Sequence, residues 1–370
     1  MDSRERVALI LEHKEADRIP IDYWATPEVN SKLMKHFKFS TQEELLQQFD
    51  VDFRYIEGPK YTGPPLAIRA DGSKEDHFGV PRRPVSFGEG SKSGTYSEVT
   101  EYPLEKATTV EEVENYPKWP RPEHFDYECI REQAKRARET GKVVVFMGDR
   151  LNRCAQLKPA MYVRGVEQIL VDVMINQDIA KAIFHRIADF YTEYAKLALE
   201  AADGNIDIFF TGDDFGTQNN LFMAVDLWRK LLREGLKQFI DIGQRYGCKV
   251  AHHTCGCVYP LMEDLIDCGL DIVNPLQPDT VKMDYAKIKK DFGSRISFHG
   301  AISIQKTMPY GTPDDIRNEV KDRAKKLGSN GGFIFCTAHN IQADTPIENV
   351  VALFEAYKQF GGRQFGVRKL

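Results

Sequence analysis

The sequence has no apolar run long enough to cross a bilayer and no long block of lysine and arginine. The first absence argues against a transmembrane segment. The second, together with a formal net charge of -5, makes nucleic acid and an anionic membrane surface poor partners. The charged N-terminal residues lead into a short amphipathic stretch and not into an apolar core with a cleavage site, so no signal peptide is predicted.

The seven cysteines are odd in number and lack the spacing of a disulfide framework. Four of them fall within residues 248–268. This usage is typical of reduced thiols in the cytoplasm, some of which can serve as metal ligands. The length of 370 residues, with 42% hydrophobic and 28% charged residues, suits a soluble globular protein built as one large barrel or two modest domains.

Short apolar runs alternate with helical stretches along most of the chain. The runs predicted as strands are residues 19–24, 52–57, 143–147, 206–210, 249–255, 271–275, 295–300 and 332–336. Apolar strands separated by helices predict a parallel sheet covered on both faces, and eight such units favour a closed (β/α)8 TIM barrel. A doubly wound open sheet is the alternative, but no glycine-rich dinucleotide or phosphate loop follows the first strand.

Residues 59–125 interrupt this alternation. Nine of the 18 prolines lie between residues 59 and 122, so a regular crossover helix is excluded there. Because the same alternation resumes afterwards, we predict one barrel domain over residues 1–370, with residues 59–125 as an irregular insertion. Long insertions in enzymes often form lids or binding loops, and this one is expected to cover the barrel mouth.

The segment 249–256, Lys-Val-Ala-His-His-Thr-Cys-Gly, begins as a strand and ends in potential metal ligands. Because side chains alternate along a strand, His253 and Cys255 are predicted to project to the same side. An imidazole beside a thiolate at a strand end suits zinc. The alternative is a buried histidine next to a buried cysteine, which an isolated His-x-Cys pair would favour.

Polar residues follow most of the predicted strands, at the ends where a TIM barrel carries its active site. They are Asp22, Tyr23, Trp24, Glu57, Asp149, Arg150, Asp213, Asp214, His253, Cys255, Asn274, Gln277, His299, Cys336 and His339. Their convergence predicts a catalytic mouth. Taken singly, Asp213 and Asp214 can be turn residues, a pair with one raised pKa, or substrate anchors, and His299 can be a buried core histidine.

Several short motifs extend over essentially the whole chain. They are Asp17-Arg18-Ile19-Pro20, Gly212-Asp213-Asp214-Phe215-Gly216, His253-Thr254-Cys255-Gly256, Asn274-Pro275-Leu276-Gln277, Phe298-His299-Gly300, Gly331-Gly332, His339-Asn340-Ile341 and Thr345-Pro346-Ile347-Glu348-Asn349. Together they resemble the uroporphyrinogen decarboxylase superfamily, and within it the cobalamin-dependent methyltransferases more than the decarboxylase. The decarboxylase has an arginine-rich stretch after its first strand for the carboxylates of its tetrapyrrole, whereas residues 24–28 here contain no arginine. Porphyrin decarboxylation is therefore the alternative function.

The resemblance implies a catalytic zinc held by a His-x-Cys strand and a later cysteine, as in these methyltransferases and similarly in cobalamin-independent methionine synthase. His253 and Cys255 match the first two ligands. Alignment on Thr345-Pro346 puts the family's final cysteine at His339, while Cys336 stands three residues earlier. Either residue, or both, can complete the site.

The resemblance further implies methyl transfer between a corrinoid and a small-molecule methyl donor or a thiol acceptor. The methylcobalamin would be carried by a partner protein, because the chain has no Asp-x-His-x-x-Gly cobalamin signature. Asp213, Asp214 and His299 are the predicted catalytic residues, and Tyr23, Trp24, Asn274 and Gln277 the predicted substrate-binding residues. A non-catalytic, zinc-stabilised binding subunit is the second alternative. The oligomeric state stays open, with a homodimer as one option.

Overall fold

A computed structural model describes residues 1–88, 94–148, 152–281 and 283–362 of the chain. The strands in these ranges are β1 (Phe53–Ile56), β2 (Lys60–Tyr61), β3 (Lys74–Glu75), β4 (Pro81–Phe87), β5 (Gly94–Val99), β6 (Phe125–Asp126), β7 (Val143–Phe146), β8 (Ile208–Gly212), β9 (Lys249–His253), β10 (Ile272–Asn274), β11 (Ser297–Ile302) and β12 (Phe333–Thr337). Among them, β1 and β7 to β12 pair in chain order as a seven-stranded parallel sheet. The predicted parallel α/β architecture is confirmed, in a TIM-barrel-like form.

The first predicted strand, residues 19–24, touches both edge strands of this sheet. Ile21 forms a parallel bridge with Phe335 of β12, whose amide donates to Pro20 at 2.8 Å. On the other side, the amide of Asp52, just before β1, donates to the carbonyl of Ile21 at 2.9 Å. The predicted first strand therefore lies between the two edge strands of the sheet, but it forms an isolated bridge and not a continuous ladder.

Helices cover the sheet. Those in the described residues are α1 (Ser3–Leu11), α2 (Pro27–Phe37), α3 (Gln42–Gln48), α4 (Val110–Glu114), α5 (Glu128–Glu139), α6 (Leu157–Arg164), α7 (Val166–Ile175), α8 (Gln177–Ala201), α9 (Val225–Leu231), α10 (Arg233–Arg245), α11 (Met262–Asp267), α12 (Tyr285–Phe292), α13 (Thr307–Tyr310), α14 (Pro313–Leu327) and α15 (Ile347–Phe360). The longest, α8, buries Phe184, Tyr191 and Ala198 among others, at the spacing of one helical face.

Across the described ranges, no helix combines the length and apolar content of a membrane span.

Acidic side chains join neighbouring strands at the N-terminal end of the sheet. Asp52, Asp207 and Asp271 each immediately precede a strand. Their carboxylates accept the backbone N–H of Ile21, Val144 and Val250, respectively, each at 2.9 Å. Contacts at this end support the fold and leave the opposite ends of the strands available for chemistry.

The proline-rich segment after β1 contains two small antiparallel sheets. One pairs β2 with β6, and the other has the order β3-β4-β5. The proline and glycine content had predicted irregular structure here. These strands pair antiparallel and have no helix between them, so they do not form part of the strand–helix alternation of the main sheet.

Candidate metal centre and active site

The central pair of the site stands at the end of β9. His253 is the last residue of this strand, and Cys255 follows two residues later. The amide of Thr254, between them, donates to the carbonyl of Asn274 at 2.6 Å, so the chain continues alongside β10. This extended path places the Sγ of Cys255 3.3 Å from the Nε2 of His253, on the side that strand alternation predicts.

A third residue capable of binding a metal reaches this pair from beyond β12. Each of His253, Cys255 and His339 offers one potential ligand atom, and these three atoms lie within 4.8 Å of one another. Cys336 belongs to a different group, with Asp22 and His299. It lies within β12, in an apolar cluster that includes Ile334 and Val145, whereas His339 is three residues further towards the C-terminal ends of the strands.

This donor set fits a zinc ion. Zinc–sulfur and zinc–nitrogen bonds of about 2.3 and 2.1 Å, at a tetrahedral angle, separate the two ligand atoms by roughly 3.5 Å. The observed separation of 3.3 Å between Sγ and Nε2 is close to that value. Three protein ligands also leave the open position that a catalytic zinc requires.

The ionisation of the two central side chains follows from their burial. Burial, with the nearby Arg153 guanidinium, lowers the pKa of His253 to about 3, so the imidazole is neutral and keeps a nitrogen lone pair. Burial, with the Asp214 carboxylate, raises the pKa of the Cys255 thiol to about 12. A thiolate at this position therefore needs a cation beside it.

Asp213 caps a helix. Its Oδ2 accepts the backbone N–H groups of Gln156 at 2.7 Å and Leu157 at 2.6 Å, and its Oδ1 accepts that of Lys158 at 2.6 Å. These are the first amides of α6, which have no partners within the helix. Burial raises the pKa of Asp213 to about 7, although the three amides oppose the rise. Both oxygens thus accept backbone N–H groups, and a catalytic role for Asp213 stays a prediction.

Asp214 lies directly beside His253 and Cys255, two of the candidate metal ligands. Its Oδ1 accepts the amide of Cys255 at 3.1 Å and lies 3.7 Å from Nε2 of His253, while its Oδ2 pairs with the Lys158 ammonium. Burial would raise the pKa of Asp214, but His253 and Lys158 outweigh it and hold that pKa below its usual range. Sequence reasoning missed Lys158, since it lies on α6 and carries no strand-end signal.

Asn274 and His299 lie in a buried hydrogen-bonded row that starts at His253. The Nδ1 of His253 is 2.6 Å from Oδ1 of Asn274, and Nδ2 of Asn274 is 2.6 Å from Nδ1 of His299. The Nε2 of His299 is 2.9 Å from Oδ2 of Asp22. All four side chains are buried. Asn274, predicted to bind substrate, and His299, predicted to be catalytic, therefore contact other protein groups on these atoms.

The two aromatic residues predicted to bind substrate point to opposite sides of the segment 19–24. Trp24 lies inside, with its ring centroid 5.9 Å from that of His253 and 5.3 Å from that of His299. Tyr23 points outward, packs on Phe354 and donates its hydroxyl to Asn30. Extended backbone alternates its side chains, so neighbouring residues cannot both face the site. The structure thus places Tyr23 away from it.

Gln277 supports the loop after Cys255. Its Oε1 accepts the amide of Gly256 at 2.8 Å. It also lines a cavity of about 70 Å³ whose wall includes two of the candidate metal ligands and is formed by Cys255, Gln277, Asp279, Ile304, Gln305, Ala338 and His339. Asp279 and Gln305 were not singled out from the sequence, because they follow their strands by several residues.

A larger cavity of about 610 Å³ opens at the ends of β1 and β7. It is lined by residues 55–61, Met147, Gly148 and Asn152, and so includes Glu57 from the predicted mouth. Asp149 and Arg150, which were also predicted to lie at this mouth, fall outside the described residues.

Comparison with known proteins identifies relatives with two kinds of activity. Over 235 residues the chain is 25% identical to a methylated-thiol--coenzyme M methyltransferase of Methanosarcina mazei, covering 60% of this chain and 59% of that protein. It is 27% identical over 183 residues to the methylcobamide:CoM methyltransferase MtaA of Methanosarcina barkeri, covering 48% and 49%. It is 26% identical over 194 residues to a uroporphyrinogen decarboxylase of Coxiella burnetii, covering 49% and 50%. The chain thus spans less than two thirds of the length of these relatives.

The fold and the family follow from two further comparisons. A solved methyltransferase from Methanosarcina mazei superposes with a TM-score of 0.65 at 19% identity, covering 97% of this chain and 99% of that one, which shows a shared fold. The model of the uroporphyrinogen decarboxylase (URO-D) family matches residues 85–360. As its motifs predicted, the chain therefore belongs to the uroporphyrinogen decarboxylase family, and its relatives include proteins named as methyltransferases.

Proposed function

We propose that this protein is a zinc-dependent methyltransferase that moves a methyl group between a corrinoid protein and a small-molecule donor or thiol acceptor. The observation that carries the proposal is the gathering of His253, Cys255 and His339 within 4.8 Å at the C-terminal ends of the strands. Relatives named for methylated thiols, methylcobamide and coenzyme M support this chemistry. His253, Cys255 and His339 would hold the zinc.

The chemistry that zinc supplies when bound is Lewis acidity, which keeps a thiol acceptor as thiolate or makes the heteroatom of a methyl donor a better leaving group. The protein contributes a neutral imidazole at His253 and a thiol at Cys255 that releases its proton. Asp214 adds a carboxylate 3.7 Å from Nε2 of His253, and its pairing with Lys158 limits the negative charge at the site. The polar wall of the small cavity, with Gln277 and Asp279, would orient the small molecule.

The corrinoid would arrive on a partner protein at the barrel mouth. The same proposal treats residues 1–370 as one (β/α)8 barrel, with residues 19–24 as its first strand and residues 59–125 over the mouth. Pairing of β2 with β6 supports this placement, because it brings both ends of the insertion together beside the cavity of about 610 Å³. A cytoplasmic location belongs to the proposal as well, since all seven cysteines are free thiols.

Decarboxylation of a porphyrin or a similar polycarboxylate is the second candidate, favoured by relatives named as uroporphyrinogen decarboxylases. Residues 24–28 weigh against it because they offer no arginine to a substrate with several carboxylates. In addition, the Trp24 side chain in this stretch is buried and donates its Nε1–H to Asp22 at 3.0 Å, so this donor is already used within the protein.

Metal content and methyl transfer test the proposal together. We expect zinc at about one equivalent in the wild type, loss of zinc in Cys255→Ser, and retention in the control Cys248→Ser, a buried cysteine whose thiol faces the carbonyl of Ile206. Demethylation of free methylcobalamin by a panel of thiols, monitored by its absorbance change, should depend on that zinc.

A wild type without zinc, or one that decarboxylates uroporphyrinogen after chelation, would exclude the methyltransferase. Zinc binding without methyl transfer from any donor would instead indicate a zinc-stabilised binding subunit.

A further inference from the structure

The buried row from His253 to Asp22 has a single consistent direction of hydrogen bonding. The Asn274 side chain offers Oδ1, an acceptor, to Nδ1 of His253 at 2.6 Å, so this nitrogen carries the proton. The same amide offers Nδ2, a donor, to Nδ1 of His299 at 2.6 Å, so that nitrogen carries the lone pair. One amide thus sets opposite tautomers on two histidines.

The far end of the row is anchored at Asp22. With its Nδ1 acting as acceptor, neutral His299 carries its proton on Nε2 and donates it to Oδ2 of Asp22 at 2.9 Å. The same carboxylate oxygen accepts the hydroxyl of Tyr55 at 2.5 Å and the Nε1–H of Trp24 at 3.0 Å. Oδ1 of Asp22 accepts the amide of Tyr23 at 2.7 Å. The carboxylate therefore has little freedom to turn, and it fixes the ring of His299.

We propose that Asp22, His299 and Asn274 are positioning residues that hold His253 with Nδ1 protonated and the Nε2 lone pair directed at Cys255. The inference rests on the proposed function, in which His253 is a zinc ligand. It reassigns Asn274 from substrate binding and His299 from catalysis. Both polar atoms of the Asn274 amide and both ring nitrogens of His299 are hydrogen-bonded to protein groups. Groups that orient a ligating histidine typically contribute about 10- to 100-fold to metal affinity.

A second metal site at Asp22, His299 and Cys336 is the competing interpretation, since ligand atoms of these residues also lie within 4.8 Å of one another. A metal there would have to displace the hydrogen bond between His299 and Asp22, and it would lie in an apolar interior lined by Phe53, Val145 and Ile334. Burial also raises the pKa of the Cys336 thiol far above its usual range. The hydrogen-bonded row explains the same atoms without an ion.

The first experiment determines the tautomers by NMR of the metal-free 370-residue protein labelled with 15N-histidine, with resonances assigned through His253→Gln and His299→Gln. We expect His253 as the Nδ1–H form and His299 as the Nε2–H form. The opposite tautomer at His253 would overturn the proposal. This result does not depend on zinc: a wild type that shows the expected tautomers but binds no zinc would refute the proposed function and still support the row.

The second experiment changes the amide between the rings. Asn274→Leu should leave His253 as a mixture of tautomers and lower zinc affinity about 10- to 100-fold in a chelator competition. Asn274→Asp keeps an acceptor for His253 but cannot donate to His299, so His253 should stay Nδ1–H while His299 changes its tautomer.

The control is Asn349→Leu, which removes a buried amide that donates to Met308 and Gly311 and should change neither tautomers nor zinc affinity. An unchanged His253 in Asn274→Leu would overturn the assignment, and Asn274→Asp tests it even if the leucine variant does not fold.

Discussion

The backbones of Gly256 and Gly216 lie against each other, and a Cβ atom on Gly256 would stand 2.3 Å from the carbonyl carbon of Gly216. Gly256 follows Cys255, and Gly216 lies two residues after Asp214. The amide of Cys257 donates to the carbonyl of Thr217 at 2.7 Å across the same contact. Two loops that carry site residues are thus held together through their backbones.

Substitution of Gly256 should therefore harm both stability and the site. Gly256 has a φ of +94°, and Gly256→Ala adds a backbone clash to this strain. We expect a loss of about 2–4 kcal/mol in the free energy of unfolding, measured by urea denaturation, together with weaker zinc binding. Gly247→Ala is the matched control: its φ is +78°, but nothing lies within 4 Å of the added Cβ. It should cost only about 1 kcal/mol and leave zinc binding unchanged. Equal losses in the two variants would contradict the role of the contact.

Two substitutions decide the third zinc ligand. His339→Ala should weaken zinc binding more than about 100-fold, because loss of a ligand exceeds the effect of changing its supporting groups. Cys336→Ser should keep the zinc but lower the unfolding midpoint, because it buries a hydroxyl among apolar side chains. Zinc content by elemental analysis and chelator competition measure the first effect, and thermal unfolding measures the second. Loss of zinc in Cys336→Ser with retention in His339→Ala would show that Cys336 is the ligand.

Substitutions of the neighbouring residues Asp213 and Asp214 should distinguish a structural role from a functional one. Asp213→Ala leaves buried amides at the start of α6 without an acceptor, so we expect a loss of about 3 kcal/mol in unfolding free energy. The zinc affinity of the folded protein should change little. Asp214→Asn removes the carboxylate beside His253 and should lower zinc affinity while costing less stability. Denaturation and zinc titration of both variants test this, and the reverse pattern would support a functional role for Asp213.

Zinc affinity should rise with pH because Cys255 must lose a proton when the metal binds. With a thiol pKa raised to about 12, each pH unit between about 6 and 9 increases the thiolate fraction, and hence the affinity, about tenfold. His253 adds nothing to this slope, since burial lowers its pKa to about 3 and it is already unprotonated throughout that window. Calorimetry in buffers of different ionisation enthalpy should show about one proton released per zinc. A pH-independent affinity would exclude Cys255 as a thiolate ligand.

Much of the fold could be predicted because apolar runs and helical faces are local properties of a sequence. Each strand of the main sheet begins and ends within two residues of its predicted range, from β1 at Phe53–Ile56 to β12 at Phe333–Thr337. The side shared by His253 and Cys255 also follows from local alternation. The small sheets formed by β2 to β6 were missed, because β2, β3 and β6 are only two residues long and β4 contains two prolines, so no apolar run marks these strands.

The sequence by itself determined the parallel α/β architecture, the family and the pairing of an imidazole with a thiol at one strand end. Only the tertiary structure decided that His339 and not Cys336 approaches that pair, that Tyr23 turns away while Trp24 faces inward, and that Asp213 caps α6. It also joined Asp22 to His253 through residues of two other strands. The physical reason is that partners across the sheet are set by strand register and by the position of each residue along its strand, which depend on the packing of the whole sheet.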